Sequence, residues 1–113
     1  MHEISLIQAL IETVKHSAAE NDIARVNNVR IVVGELYGAL PDALEFAFQV
    51  LTKGTVCEGA VLEIDKKPLV LKCRECESEY RPGEINWKCP ACGSGGATAI
   101  SGKELYVDYF EGD

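Results

Sequence analysis

Cys73-x2-Cys76 and Cys89-x2-Cys92 set four thiols in two tight pairs, with twelve residues between them. Two such knuckles present four thiolates to one tetrahedral ion, usually Zn²⁺. In Cys89-Pro90-Ala91-Cys92-Gly93 a proline fixes the turn, and a glycine stands where backbone N–H groups must approach sulfur. Four thiolates close the coordination sphere and leave no position for water or substrate. The spacing therefore predicts structural Zn(II) at Cys73, Cys76, Cys89 and Cys92, not a catalytic ion. Residues 69–96 are too few to build an adequate core, so metal binding would supply much of their folding free energy.

A second constellation is Met1-His2-Glu3. A bulky second residue leaves the initiator methionine in place, which predicts a free α-amine followed by histidine. That amine, the His2 amide nitrogen and imidazole Nδ1 can close a five- and a six-membered ring around one ion. Ni²⁺ and Cu²⁺, which favour square-planar nitrogen, displace the amide proton; Zn²⁺ seldom does. Glu3 can offer a fourth ligand from its amide or its carboxylate. An exposed terminal histidine that is merely solvated is the competing reading, and on these three residues alone both stand.

The elements that must position these groups follow from periodicity. Ile4, Ile7, Leu10, Ile11, Val14 and Ala18 recur at helical spacing, predicting an amphipathic helix from about Ile4 to Ala19 that Asn21-Asp22 stops. The first N–H groups of a helix have no internal partner, so ionising the His2 amide would break no helical bond. The helix dipole also favours an anion there. Val26 to Tyr37 contains the β-rich run Val29–Val33, a strand ending near Gly34. Pro41-Asp42 opens a second helix with a wide apolar face (Leu44, Phe46, Ala47, Phe48, Val50, Leu51), which Gly54 is expected to end. Strands are expected at about Ala60–Lys66, at Ala97–Ile100 and at Leu105–Phe110, the last two about a turn at Gly102. We find no internal repeat. The order predicts an α/β (α+β) fold: two helices packed on one face of a small sheet, with a Cys₄ zinc-ribbon module inserted between strands. The expected division is residues 1–68 and 97–113 as one domain and 69–96 as the zinc module.

Composition excludes several classes. A chain of 113 residues with 47% hydrophobic residues holds one small core. Its net charge of −7 argues against a nucleic-acid partner. The longest apolar run falls far short of the roughly 20 residues of a membrane span. An acidic, amphipathic start is unlike a signal peptide, and paired CxxC motifs suit a reducing compartment, so a cytoplasmic location is expected. Cys57 has no CxxC neighbour and reads as a small buried apolar residue. His16 reads as a solvated helix residue.

Met1-His2-Glu3-Ile4-Ser5, Val33-Gly34-Glu35-Leu36, Leu44-Glu45-Phe46-Ala47-Phe48, Glu58-Gly59-Ala60-Val61-Leu62-Glu63-Ile64, the two CxxC pairs with Cys89-Pro90-Ala91-Cys92-Gly93-Ser94, and Gly102-Lys103-Glu104-Leu105 together resemble the HypA/HybF family of nickel metallochaperones. The resemblance covers nearly the whole chain. It implies a binding protein, not an enzyme, that carries Ni(II) as transient cargo for maturation of [NiFe]-hydrogenase and, in some organisms, urease. It implies nickel ligation by the Met1 amine, the His2 amide and imidazole, and Glu3, with structural zinc at the four cysteines. The implied partners are a HypB-type GTPase and the hydrogenase large subunit; charge and apolar-run length lead us to expect no nucleic acid and no membrane, and the sequence leaves a monomer and a weak homodimer both open. Some members place histidines beside the zinc cysteines; this chain has none there, which argues against a histidine-driven switch. The rival reading is a zinc-ribbon interaction module with an idle terminus. A thiol oxidoreductase would need one CxxC pair free of metal.

Overall fold

The computed structural model describes residues 2–82 and 87–113, with the side chain of His2 outside that description. Helix α1 runs His2–Glu20, two residues earlier than its apolar spacing predicts. Ile7, Leu10, Ile11, Val14 and Ala18 are buried along one stripe. Its end is a left-handed stop at Asp22 (φ 56°), where the Ile23 N–H donates to the Ala18 carbonyl at 2.9 Å. His16 lies on the solvated side, its Nε2 3.3 Å from Glu20 one turn on. Strand β1 (Val26–Gly34) passes into a 3₁₀ turn at Glu35–Tyr37, then helix α2 (Pro41–Leu51) begins with Pro41 in its first turn. Gly54 does not end α2. The helix stops three residues earlier at Leu51, where the buried Thr52 turns its hydroxyl back to the Phe48 carbonyl at 2.7 Å.

The chain divides into two compact units: residues 1–32, 39–65 and 105–113, and residues 33–38 and 66–104. In the first, β1 is the middle strand of a sheet ordered β2-β1-β6, with β2 at Val61–Lys67 and β6 at Leu105–Gly112. Ile7, Leu10, Ile11 and Val14 of α1 and Phe48 of α2 meet Val29 and Ile31 of β1 and Leu62 of β2 around one apolar cavity. Both helices thus cover the same sheet face. Cys57 lines that cavity with no exposure, and burial pushes its thiol up, as expected of an apolar space-filler. On the other face the Arg30 guanidinium reaches across all three strands, 3.2 Å from Asp65 of β2 and 3.2 Å from Asp108 of β6.

The second unit has its own sheet, ordered β4-β3-β5, from β3 (Val70–Cys73), β4 (Glu79–Tyr80) and β5 (Ala97–Ser101). The expected α+β class and its two helices are present, but the strands form two sheets where the sequence suggests one. Gly102 is the reason. It is not the tip of a hairpin between β5 and β6; it lies at a crossing of three backbone segments. Its carbonyl accepts the Leu36 N–H at 2.9 Å, and a Cβ there would stand 2.5 Å from Leu69 Cα. A φ of +97° also favours glycine at this point. Beside it Glu35 accepts the Leu69 N–H at 2.9 Å and approaches Arg81 at 3.3 Å. The Leu69 N–H is the main cause that holds this carboxyl below its ordinary range, with Arg81 adding to it. Residues 69–96 lie inside this second unit, which also contains β5 and the Glu35 turn.

Candidate metal centre

The two knuckles fold alike because the same backbone bonds close both. In the first, Cys73 donates its N–H to the Ser78 carbonyl at 2.9 Å and accepts the Glu77 N–H at 3.0 Å. In the second, Cys89 donates to the Ser94 carbonyl at 2.9 Å and accepts the Gly93 N–H at 2.8 Å. The fourth residue after each leading cysteine is left-handed: Glu77 at φ 61° and Gly93 at φ 78°. Read with the bonds, the sequence contains a six-residue repeat, Cys-x-x-Cys-x-Ser, at 73–78 and 89–94. The expectation of no internal repeat fails at this short scale. Glu77, Ser78 and Ser94 are site residues that spacing analysis missed, although the repeat itself was the available signal.

Strand β3 ends at Cys73, so a rigid strand delivers the first sulfur. Cys73 and Cys89 are buried with Leu69, Leu71 and Tyr80 in a small cluster, whereas Cys76 and Cys92 are exposed. The Tyr80 hydroxyl donates to the Trp87 carbonyl at 2.9 Å, linking the segments that lead out of one knuckle and into the other. All four Sγ atoms lie within 4.8 Å of one another, with Cys73–Cys92 at 3.5 Å and Cys76–Cys89 at 3.6 Å. A tetrahedron with metal–sulfur bonds near 2.3 Å has sulfurs about 3.8 Å apart, so the donor set fits one tetrahedral thiophilic ion.

The electrostatics of the thiols lead to the same conclusion. The Cys76 thiol is held down to about 6, first by the Ser78 hydroxyl and backbone N–H. At Cys92 the Ser94 N–H lowers the thiol, but the neighbouring sulfurs and burial outweigh it and push it up to about 12. Four sulfurs this close cannot all carry charge without a cation among them; a bound dication removes that conflict. The described residues thus bring together Cys73, Cys76, Cys89 and Cys92 in a group that could hold a metal ion.

The amino-terminal constellation is less visible. Met1 lies outside the described residues, as does the His2 side chain. The backbone is helical from His2, and Glu3 stands in the first turn of α1. The His2 amide is therefore at the end of the helix whose first N–H groups have no acceptor one turn earlier.

Comparison with known proteins agrees across the full length. The family model for hydrogenase/urease nickel incorporation, metallochaperone, hypA matches residues 1–112. The hydrogenase maturation factor HypA of Moorella thermoacetica is 40% identical over 113 residues, covering 100% of each chain. The corresponding factor of Aquifex aeolicus is 37% identical over 111 residues, covering 98% of this chain and 96% of its own. The solution structure of the Ni metallochaperone HypA from Helicobacter pylori shares the fold, with a TM-score of 0.69 at 24% identity, covering 99% of this chain and 97% of that one. With a family match from end to end and a tetrathiol centre of the expected spacing, the chain belongs to the HypA family of hydrogenase and urease nickel-incorporation metallochaperones.

Proposed function

We propose that this chain binds Ni(II) at its amino terminus and delivers it during maturation of a [NiFe]-hydrogenase. The nickel ligands are the Met1 amine, the His2 amide and imidazole, and Glu3. Family membership over residues 1–112 is the observation that carries this reading. The start of α1 at His2 supports it, since metallating that amide costs the helix no internal bond. The donor set is mostly nitrogen, which suits square-planar Ni²⁺ and is a poor match for Zn²⁺. Nickel is cargo. A terminal site leaves the ion open on several sides, so an acceptor can replace the ligands stepwise. Protons leave the amine, amide and imidazole on binding, so affinity rises with pH.

Residues 1–68 and 97–113 form the nickel-carrying part in this reading, and 69–96 the zinc module. Zn(II) at Cys73, Cys76, Cys89 and Cys92 supplies a fixed cross-link and no chemistry, because the thiolates fill its coordination sphere. The chain is a carrier without catalytic activity, acting in the cytoplasm. A HypB-type GTPase and the hydrogenase large subunit are its partners.

The test is titration of Ni²⁺ into protein whose first residue is a free Met1, with mass spectrometry of the intact chain confirming that end. A weak visible band and a diamagnetic complex are expected. The band should vanish in His2→Ala and in a chain with one glycine ahead of Met1, while bound zinc stays at one per chain. Nickel held equally well by both variants overturns the site. A silent titration of the parent chain favours the idle-terminus zinc ribbon.

A further inference from the structure

Helix α2 has more apolar surface than its own unit buries. Leu44, Ala47 and Phe48 are buried, whereas Phe46 and Val50 of the same helix and Leu40 at its cap are exposed. Phe46 is 70% exposed and Leu40 63%, the two highest values among the described large apolar side chains. Rotating α2 to cover Phe46 would lift Leu44 and Phe48 out of the core, so no setting of the helix buries them all. Singly scattered apolar side chains are ordinary on a surface, but a continuous row marks a contact site.

These residues do form a row. Residues three and four apart are neighbours on a helix surface, which places Ala43 and Val50 beside Phe46, with Leu40 three residues ahead of Ala43. The side of a helix has no unpaired N–H or C=O, so an extended segment would gain no ladder along it. A second helix, laying side chains one turn apart across the row, matches its geometry.

The charges beside the row differ at its two ends. Asp42 adjoins Phe46 on the helix surface and Glu45 lies one row further round; α2 itself contains no base. Both carboxylates are exposed, and among the described residues neither is in an ion pair. Past the far end stands Lys53, close to the Glu58 carboxylate that accepts the Gly54 N–H at 3.2 Å and shares a groove with Arg25. The most exposed part of the row is thus its acidic part. The surrounding unit has twelve Asp/Glu against four Lys/Arg. A second copy would bring two such units together against their charge, whereas a cationic partner is attracted.

We propose that the outer side of α2 docks a basic, amphipathic helix of a partner protein. Leu40, Ala43, Phe46 and Val50 take its apolar side chains, and Asp42 with Glu45 takes its Lys or Arg residues. The probe is a labelled 18-residue helical peptide with leucine at every third and fourth position and lysine elsewhere, about five turns long. The control replaces each lysine with glutamate. Each is titrated by fluorescence anisotropy into the zinc-loaded full chain without nickel, so the outcome is independent of the terminal site.

The leucine–lysine peptide should bind and the leucine–glutamate one should not. Phe46→Ala removes an exposed ring, so helicity and zinc content should stay as they are while binding weakens at least about tenfold. Val61→Ala truncates an equally exposed apolar residue on β2 and should leave binding unchanged, which separates docking on α2 from general attraction to an acidic protein. Should Phe46→Ala misfold, Glu45→Lys provides an independent arm: it should weaken the basic peptide by about threefold. No binding of the basic peptide, equal binding of the two, or binding that survives both α2 substitutions overturns the proposal. A dimer of the chain alone that Phe46→Ala dissolves also overturns it, in favour of a second copy on α2. So does uptake by neutral lipid vesicles that Phe46→Ala abolishes, in favour of a membrane surface.

Discussion

Residues 1–32, 39–65 and 105–113 close around aliphatic side chains, whereas residues 33–38 and 66–104 close around four sulfurs. In the first unit Ile7, Val14, Ile31, Leu44 and Phe48 each expose 2% of their surface or less, and two helices bury their apolar stripes against one sheet. Among the described residues the second unit's cluster has Leu69, Leu71 and Tyr80 as its large buried side chains, with Cys73 and Cys89 completing it. Burial at about 25 cal/mol/Å² can hold the first unit and falls short for the second. Two means of cohesion thus coexist in one short chain. One is spread over many side chains, the other concentrated on four sulfurs placed to hold one ion.

The largest effect should come from removing that ion. Metal binding contributes roughly 10–16 kcal/mol to small zinc modules at neutral pH. A strong chelator should abolish amide-exchange protection in β3 and β5 while α1 and α2 keep theirs. Protection retained in β3 after metal loss would dissolve the contrast between the units. Next in size is the reciprocal experiment. Phe48→Ala leaves a hole in the first unit and should cost about 3–5 kcal/mol of stability in denaturant unfolding, with metal stoichiometry unchanged.

Smaller effects separate the two knuckles. Gly93→Ala meets no atom within 4 Å, so its cost is backbone strain alone, about 1–2 kcal/mol, visible as weaker metal retention against a competing chelator. Glu77→Gly relieves the same strain at the matching position. The substitution adds the chain entropy of glycine and removes an exposed ion pair with Lys72 at 3.9 Å, both small opposing effects. Retention should therefore improve by less than about 1 kcal/mol. The smallest effect concerns Glu35. Its carboxyl is lower in the folded chain than in the unfolded one, so its contribution is full above the ordinary carboxylate value near about 4 and is lost as pH falls through the lowered one. Acid titration of the Leu69 amide signal should show that limb in the parent chain and lose it in Glu35→Gln.

Much of this was legible in the sequence for definite reasons. Helix α1 announces itself because Ile7, Leu10, Ile11 and Val14 must share a face to be buried, and the sulfur cluster does because CxxC fixes a turn. What the sequence did not disclose depends on groups far apart in the chain. Two sheets replace one because Gly102 sits where Leu36 and Leu69 cross, a proximity that no local pattern encodes. The stop of α2 at Thr52 was obscured by Gly54, whose positive φ serves the following turn instead. Glu77 was hidden because a left-handed glutamate is uncommon, and only its match to Gly93 reveals the shared geometry.

Arg30 has a consequence for how the first unit reaches its native pairing. It is the charged residue of the central strand, on the opposite face from Val29 and Ile31. A slip of β1 by one residue would turn the guanidinium into the space that Leu10 and Phe48 fill, and would separate it from Asp65 and Asp108 at once. A slipped pairing would thus carry an unmatched charge in an apolar interior. The side chain fixes the alignment of the central strand by making the neighbouring registers costly.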